Sequence, residues 1–453
     1  MPRSDRLTAW TLAEGPSVGF ALFRIVTGLM AIRHLIGYAR DWSKTGFYGD
    51  FFFYPYASWI PQPNEPVYLA VIFLGILSAA FVIVGYQTRV ASITCFLMVA
   101  YHLSLNQIWY RHNRYFLVLA LLLLCLAPAH TALSIDATRL KLPPIGPLWS
   151  GFLIKAQMTL IYLGSAISKT LDEGWRSGAV LTGRSLDRMW EQWMPGFVVN
   201  VIPPDAGARL LTIQALISEF FLAFFVWFPR TRRFAIWWGI IFHGFIEVRY
   251  SVLTFTYLTL ATYFIFAELR SGEKQWLYSS QSPLHRLLAR VVPLLDWMFQ
   301  VRVATHSGRG HRFIARDGTV YRGLTAWIML GANLPITFTF FYPLSWVRYL
   351  RWGKSSETLE SAPVQSPKFS VHWLVGCLAL YLVFLGIINL HAPARPQPEM
   401  RRFIDLPWFF ALMCLMAGAY HRTMIWSSST RRVEVREGAL PEEAPAGALR
   451  ATS

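Results

Sequence analysis

The chain has 453 residues, of which 54% are hydrophobic, 16% aromatic and only 15% charged, where soluble globular proteins carry about a quarter charged residues. That balance excludes a string of soluble domains and predicts a protein with several membrane-crossing helices. The formal net charge of +17 does not signal nucleic-acid binding: the basic residues sit mainly in short turns between apolar spans and in the C-terminal half, where they set topology and meet anionic headgroups.

Residues 1–13 are short and polar, and the first apolar span, residues 18–36, has no small-residue cleavage site, so a retained membrane helix is expected. Arg24 lies deep in it and must face protein, because its guanidinium needs a carboxylate, a carbonyl or water. Residues 38–66 are rich in aromatics and proline and predict a lid or re-entrant stretch at headgroup level. Spans 67–86 and 90–109 flank the basic turn Gln87, Thr88, Arg89, too tight for anything but antiparallel neighbours. A polar link with Arg111 and His112 leads into a fourth span, 115–126, closed by Pro128.

The fifth span, residues 153–175, organises the reading. It carries Lys169 near its end and then breaks into Asp172, Glu173, Gly174 and Trp175. After a second aromatic loop at 176–205 come spans 210–228, with Glu219 inside, 234–250, with His243 and Glu247, and 252–266. A cytoplasmic N-terminus puts Arg89, Arg139, Lys141, Arg230, Arg232 and Arg233 in inner loops, as the positive-inside rule asks. His112, Lys169 and both aromatic loops then fall on the extracytoplasmic side of a multi-pass protein of the cell membrane.

Beyond residue 270 a basic cytoplasmic or interfacial segment is expected over 271–365; its apolar part, 326–346, is interrupted by Asn333 and Pro335. A transmembrane pair over 366–426 and a disordered tail over 427–453 complete the chain. The expected fold is an all-α polytopic transmembrane helical bundle, with about eight core helices in residues 1–270 and two or three C-terminal ones.

Cys95, Cys125, Cys377 and Cys414 all lie within apolar spans and lack metal-site spacing, so neither a disulfide framework nor a zinc site is supported. Tyr162, Ser165 and Lys169 share one stripe of the fifth helix. A lysine kept from water gives up its proton more readily and can serve as a general base; the competing reading is an interfacial lysine that snorkels to water beside Trp175. His112 reads either as part of a headgroup-facing basic turn or as an imidazole that meets Lys169. His243 and Glu247, at i and i+4, read as a buried hydrogen-bonded pair, as cavity-lining groups or as two metal ligands, although no third ligand stands out and no metal is assigned. Arg24 and Glu219 are each deep in a span, and an interhelical ion pair joining them is the leading structural assignment.

The run 162–178, with Gly164, Lys169, Leu171, Trp175 and Arg176, resembles the lysine motif of the HTTM superfamily, the bacterial relatives of vitamin K-dependent γ-glutamyl carboxylase. The runs 109–117, with His112, and 242–266, with His243, Phe255 and Tyr257, are similar to two neighbouring motifs, and Arg24 and Gly28 fit the first family helix. The resemblance spans about residues 15–270. It implies a membrane enzyme of lyase or monooxygenase type in which Lys169 is the base that deprotonates a reduced quinone (vitamin K or menaquinol) and His112 assists. Tyr162, His243, Glu247 and Trp175 would line the pocket, and a peptide or small molecule would be the substrate. Arg111 stands where the carboxylase has asparagine, and no lumenal β-rich domain follows residue 270. Residues 320–352 faintly resemble the C-terminal part of a DCC thioredoxin-like domain without its cysteine pair, which implies no redox activity there. The alternative is a non-catalytic membrane protein that binds or transports a lipid, quinone or peptide through the same cavity.

Overall fold

The computed structural model of the chain describes residues 13–45, 53–182, 194–250, 252–267, 274–298, 300–306, 310–346 and 354–356. The expected transmembrane pair at 366–426 and the tail at 427–453 lie outside the described residues, as does the middle of the 176–205 loop.

Eight long helices form a membrane-type bundle: α1 Val18–Thr45, α2 Glu65–Val84, α3 Thr88–Ser104, α4 His112–Leu126, α5 Trp149–Leu171, α6 Pro204–Phe225, α7 Pro229–Tyr250 and α8 Thr254–Phe266. Three stretches, Val18–Lys44, Glu65–Val84 and Pro204–Phe225, are long and apolar enough to cross a membrane, with His112–Leu126 and Thr254–Phe266 as shorter apolar helices. The outward faces are as apolar as the interior: Phe73 and Leu74 on α2 and Ile213 and Ile217 on α6 are exposed. Such a belt is stable against hydrocarbon and not against water.

α1 is the central helix, with every residue from 17 to 32 buried. A helix apolar on all sides has to be enclosed, and Gly28 lets α2 close in, since a β-carbon there would press on Ile83 and the Ala79 carbonyl. α2 starts at Asn64, whose side chain accepts from the Val67 N–H at 3.1 Å, and stops at Gly85, which adopts the left-handed region at φ +68°. Asp136 then caps α3: its two carboxylate oxygens accept from the backbone N–H groups of Gln87 at 3.0 Å and Thr88 at 2.8 Å and from the Thr88 hydroxyl at 2.7 Å. A short antiparallel pair, β1 Glu14–Pro16 with β2 Ile145–Pro147, ties the starts of α1 and α5 together.

The expected ion pair of Arg24 with Glu219 is not what forms. Arg24 is fully buried and donates to the carbonyls of Ile83, Ala129, Ala132 and Leu133, tying α1 to the end of α2 and to the loop that delivers Asp136. Four carbonyls left over at a helix end and a loop satisfy the two terminal guanidinium nitrogens without any carboxylate. Glu219 is thereby left to another partner.

Within the 271–365 segment, read as basic and cytoplasmic or interfacial, the described residues between 274 and 356 form an α/β unit. A five-stranded sheet has the order β4-β3-β5-β6-β7, with β3 Lys274–Ser279, β4 Val301–His306, β5 His311–Ile314, β6 Thr319–Arg322 and β7 Lys354–Ser356. β3 and β4 run parallel, connected through α9 Pro283–Leu295, and the other pairings are antiparallel. Trp276, Val301 and Phe313 form its core with Met329 and Leu330 of α10 Gly323–Gly331. Asn333 and Pro335 break the apolar run, as expected, and start α11 Pro335–Leu344, which packs on α7: Trp237 Nε1 donates to the Thr339 carbonyl at 2.8 Å and Arg233 to Asn333 Oδ1 at 3.1 Å.

One titration belongs to this unit. His311 is buried between Trp276 and Trp327, and burial first, then the neighbouring His285 and His306, lowers its pKa from 6.5 to about 4. In the unfolded chain the imidazole takes its proton near its ordinary value, so from 6.5 down to about 4 the unfolded state binds more protons. The unit is therefore expected to lose stability as pH falls through that window. Denaturant titrations followed by tryptophan emission should show the midpoint dropping below pH 6.5, and His311→Phe should flatten the dependence.

Candidate functional site

α5 ends where Asp172 turns out of the helix and caps the next short helix, Glu173–Ser177, by accepting from the Trp175 N–H at 2.9 Å. That turn folds Trp175 back over the last turn of α5, and the Lys169 ammonium sits 4.8 Å from the centre of the Trp175 rings. Lys169 Nζ donates to Oε1 of Glu219, from α6. Ser165, one turn before the lysine, donates to the same oxygen at 3.0 Å. The pair is mostly enclosed: the lysine side chain is 20% exposed and the glutamate 8%. The other carboxylate oxygen, Oε2, is buried without a hydrogen-bond partner.

The amine lines a cavity of about 860 Å³. Its walls come from the Tyr110–Asn113 link and the start of α4, the outer half of α5, Gln214 and Glu219 of α6, Phe242, Phe245 and Ile246 of α7, and Val252 and Phe255. Leu160 and Tyr115 line it and are exposed, as are Tyr110, Arg111 and His112, so both apolar and polar side chains border its opening. Its size suits a drug-sized or lipid-like ligand.

His112 and Lys169 meet the same cavity but not each other. α4 begins at His112, so the polar link of the sequence reading is in part the first helical turn; the imidazole Nδ1 lies 3.3 Å from the Tyr110 hydroxyl, while the lysine is held by Glu219. Trp175 lines the cavity as expected. Tyr162, His243 and Glu247, expected at the pocket wall, are instead packed behind it. The Tyr162 hydroxyl bonds to His243 Nε2 at 2.7 Å and to the Tyr263 hydroxyl at 2.6 Å, joining α5, α7 and α8. His243 thus turns to Tyr162, and Glu247 accepts from the Leu253 N–H at 2.8 Å, fixing the turn into α8. Among the described residues no group of three or more His, Cys, Asp or Glu side chains is placed to hold a metal ion.

A family model described as the HTTM domain matches residues 16–270, more than half of the chain. The chain belongs to the HTTM domain family. No curated protein and no solved structure matches it. Within the HTTM domain Arg24 is held by backbone carbonyls and Lys169 by Glu219. The role of Glu219 as the lysine's partner was missed in the sequence, although one signal existed: Lys169 and Glu219 are an opposite-charged pair on consecutive apolar helices, and consecutive antiparallel helices pack side by side.

Proposed function

We propose that this HTTM protein is a multi-pass enzyme of the cell membrane, N-terminus cytoplasmic, related in mechanism to the quinol-dependent carboxylases, with Lys169 as its base and His112 assisting from the same cavity. The observation that carries the proposal is the buried Lys169–Glu219 pair whose second carboxylate oxygen meets no donor among the described residues. A buried acceptor without a partner is costly and is satisfied by a ligand that brings a hydroxyl. The residues fit a reduced quinone: Glu219 Oε2 can accept from a ring hydroxyl, and Phe242, Phe245 and Phe255 offer apolar walls to a ring system and tail. Such a quinol, when bound, would supply with oxygen the base needed to remove a carbon-bound proton from a peptide or small-molecule substrate.

The chain's own part is local. Lys169 and Glu219 share one hydrogen bond along which a proton can pass: when the ammonium gives its proton to Oε1, the neutral amine is left able to take one at the cavity. Ser165 fixes Oε1, and the Trp175 rings cover one side of the amine. The Tyr162–His243–Tyr263 network braces the three helices behind this pair. The decisive test is oxygen uptake by purified protein given reduced menaquinone, corrected for the protein-free rate. Loss of a general base lowers the rate about 10²–10⁴-fold, so Lys169→Ala should abolish uptake above background. Equal uptake by both proteins removes Lys169 from any catalytic role and leaves the cavity as a non-catalytic binding or transport site for a lipid, quinone or peptide.

A further inference from the structure

We infer that the cavity selects amphiphiles that carry an anionic headgroup, and that Arg111 reads the charge. The inference goes beyond the reading above: it concerns a second ligand, held at Arg111, and not the quinol hydroxyl that Glu219 Oε2 would meet. Of the charged side chains that line it, Lys169 and Glu219 close on each other and cancel, which leaves the Arg111 guanidinium. Its recorded hydrogen bond runs to its own neighbour's carbonyl, Tyr110 O, at 3.0 Å, and no carboxylate pairs with it among the described residues. A guanidinium has five donors in a planar fork that matches a carboxylate or phosphate, so most of its capacity is open.

Its position adds to this. Arg111 is the residue that opens the 15-residue helix α4, with extended backbone and no side chain capping the helix start. An anion held by the guanidinium would also lie at the positive end of that helix. Away from this polar rim the walls are Phe116, Leu119, Ile161 and Phe255, which suit a hydrocarbon body. An anionic headgroup gives the exposed guanidinium charge-assisted hydrogen bonds that a neutral headgroup does not.

The test needs no turnover, so it stands or falls independently of quinol chemistry. Full-length protein in a neutral detergent is titrated at alkaline pH with the fluorescent fatty acid cis-parinaric acid and with its uncharged methyl ester. Wild type should bind the acid about tenfold or more tightly than the ester. Arg111→Gln should bring the two together, and Arg111→Lys should keep part of the preference. Gly164→Phe should weaken both probes: Gly164 lines the cavity and nothing lies within 4 Å of a β-carbon placed on it. Displacement by oleate but not by phosphatidylglycerol assigns a carboxylate headgroup, and the reverse assigns a lipid phosphate; either supports the inference. Equal binding of acid and ester by wild type, or an undiminished preference in Arg111→Gln, overturns it.

Discussion

Replacing Arg24 with methionine is expected to cost the folded bundle about 3–5 kcal/mol, the usual penalty for breaking a buried charged network at one member. Methionine approximates the length of the side chain but donates nothing, so the carbonyls of Ile83, Ala129, Ala132 and Leu133 lose their donor in the interior. These carbonyls belong to the end of α2 and to the loop carrying Asp136, the cap of α3, so the damage should reach three helices. Gly85 sits against the guanidinium and leaves no room for it to be replaced by a bulkier arrangement. A fall of about 10 °C in the melting temperature of detergent-purified protein is the expected reading, with Arg24→Lys intermediate. A melting temperature equal to wild type would mean that the guanidinium does not hold these segments together.

The second large effect separates stability from activity at the Lys169–Glu219 pair. Glu219→Leu strands the lysine beneath Trp175, and Lys169→Met strands the carboxylate; because the amine keeps a fifth of its surface exposed, each single change should cost on the order of 2–3 kcal/mol, at or below the usual range for a broken buried pair. The double variant Lys169→Met with Glu219→Leu removes both charges and should recover most of that loss, since an apolar pair of similar volume suits the site. Its oxygen uptake should nevertheless stay at background. Recovery of uptake along with stability would show that the pair serves only the fold.

The bundle was legible because each helix announces itself by a long apolar run, and lipid-facing surface gives no reason to interrupt it. The boundaries moved where polar residues joined a helix: His112, Asn113 and Arg114 look like a link but form the first turn of α4, their side chains turned to the cavity rim and to Tyr38. The requirement that each deep charge find company was also legible, but the choice of company was not. Arg24 could be satisfied by carbonyls that only the folded loop gathers, and the one pointer to the cation that meets Glu219 was that the helices of Lys169 and Glu219 are consecutive. The same limit explains Tyr162 and His243: helical spacing put them on the right side of their helices, and only the packing of α8 decided that Tyr263 would shut them behind the wall. The sheet was hidden for another reason. Strands of four to six residues carrying Arg302, Arg312 and Arg322 read as a charged connector, and their buried members, Trp276, Phe313 and Val320, are too few per strand to show a period.

Entry past the exposed side chains of Leu160 and Tyr115 would change which concentration governs occupancy. A ligand that enters there is drawn from the surrounding leaflet, so saturation follows its mole fraction among the lipids and not its amount in water. Two compounds with identical contacts inside the cavity would then differ in apparent potency by the ratio of their partition coefficients, and dilution with extra lipid would weaken both in proportion.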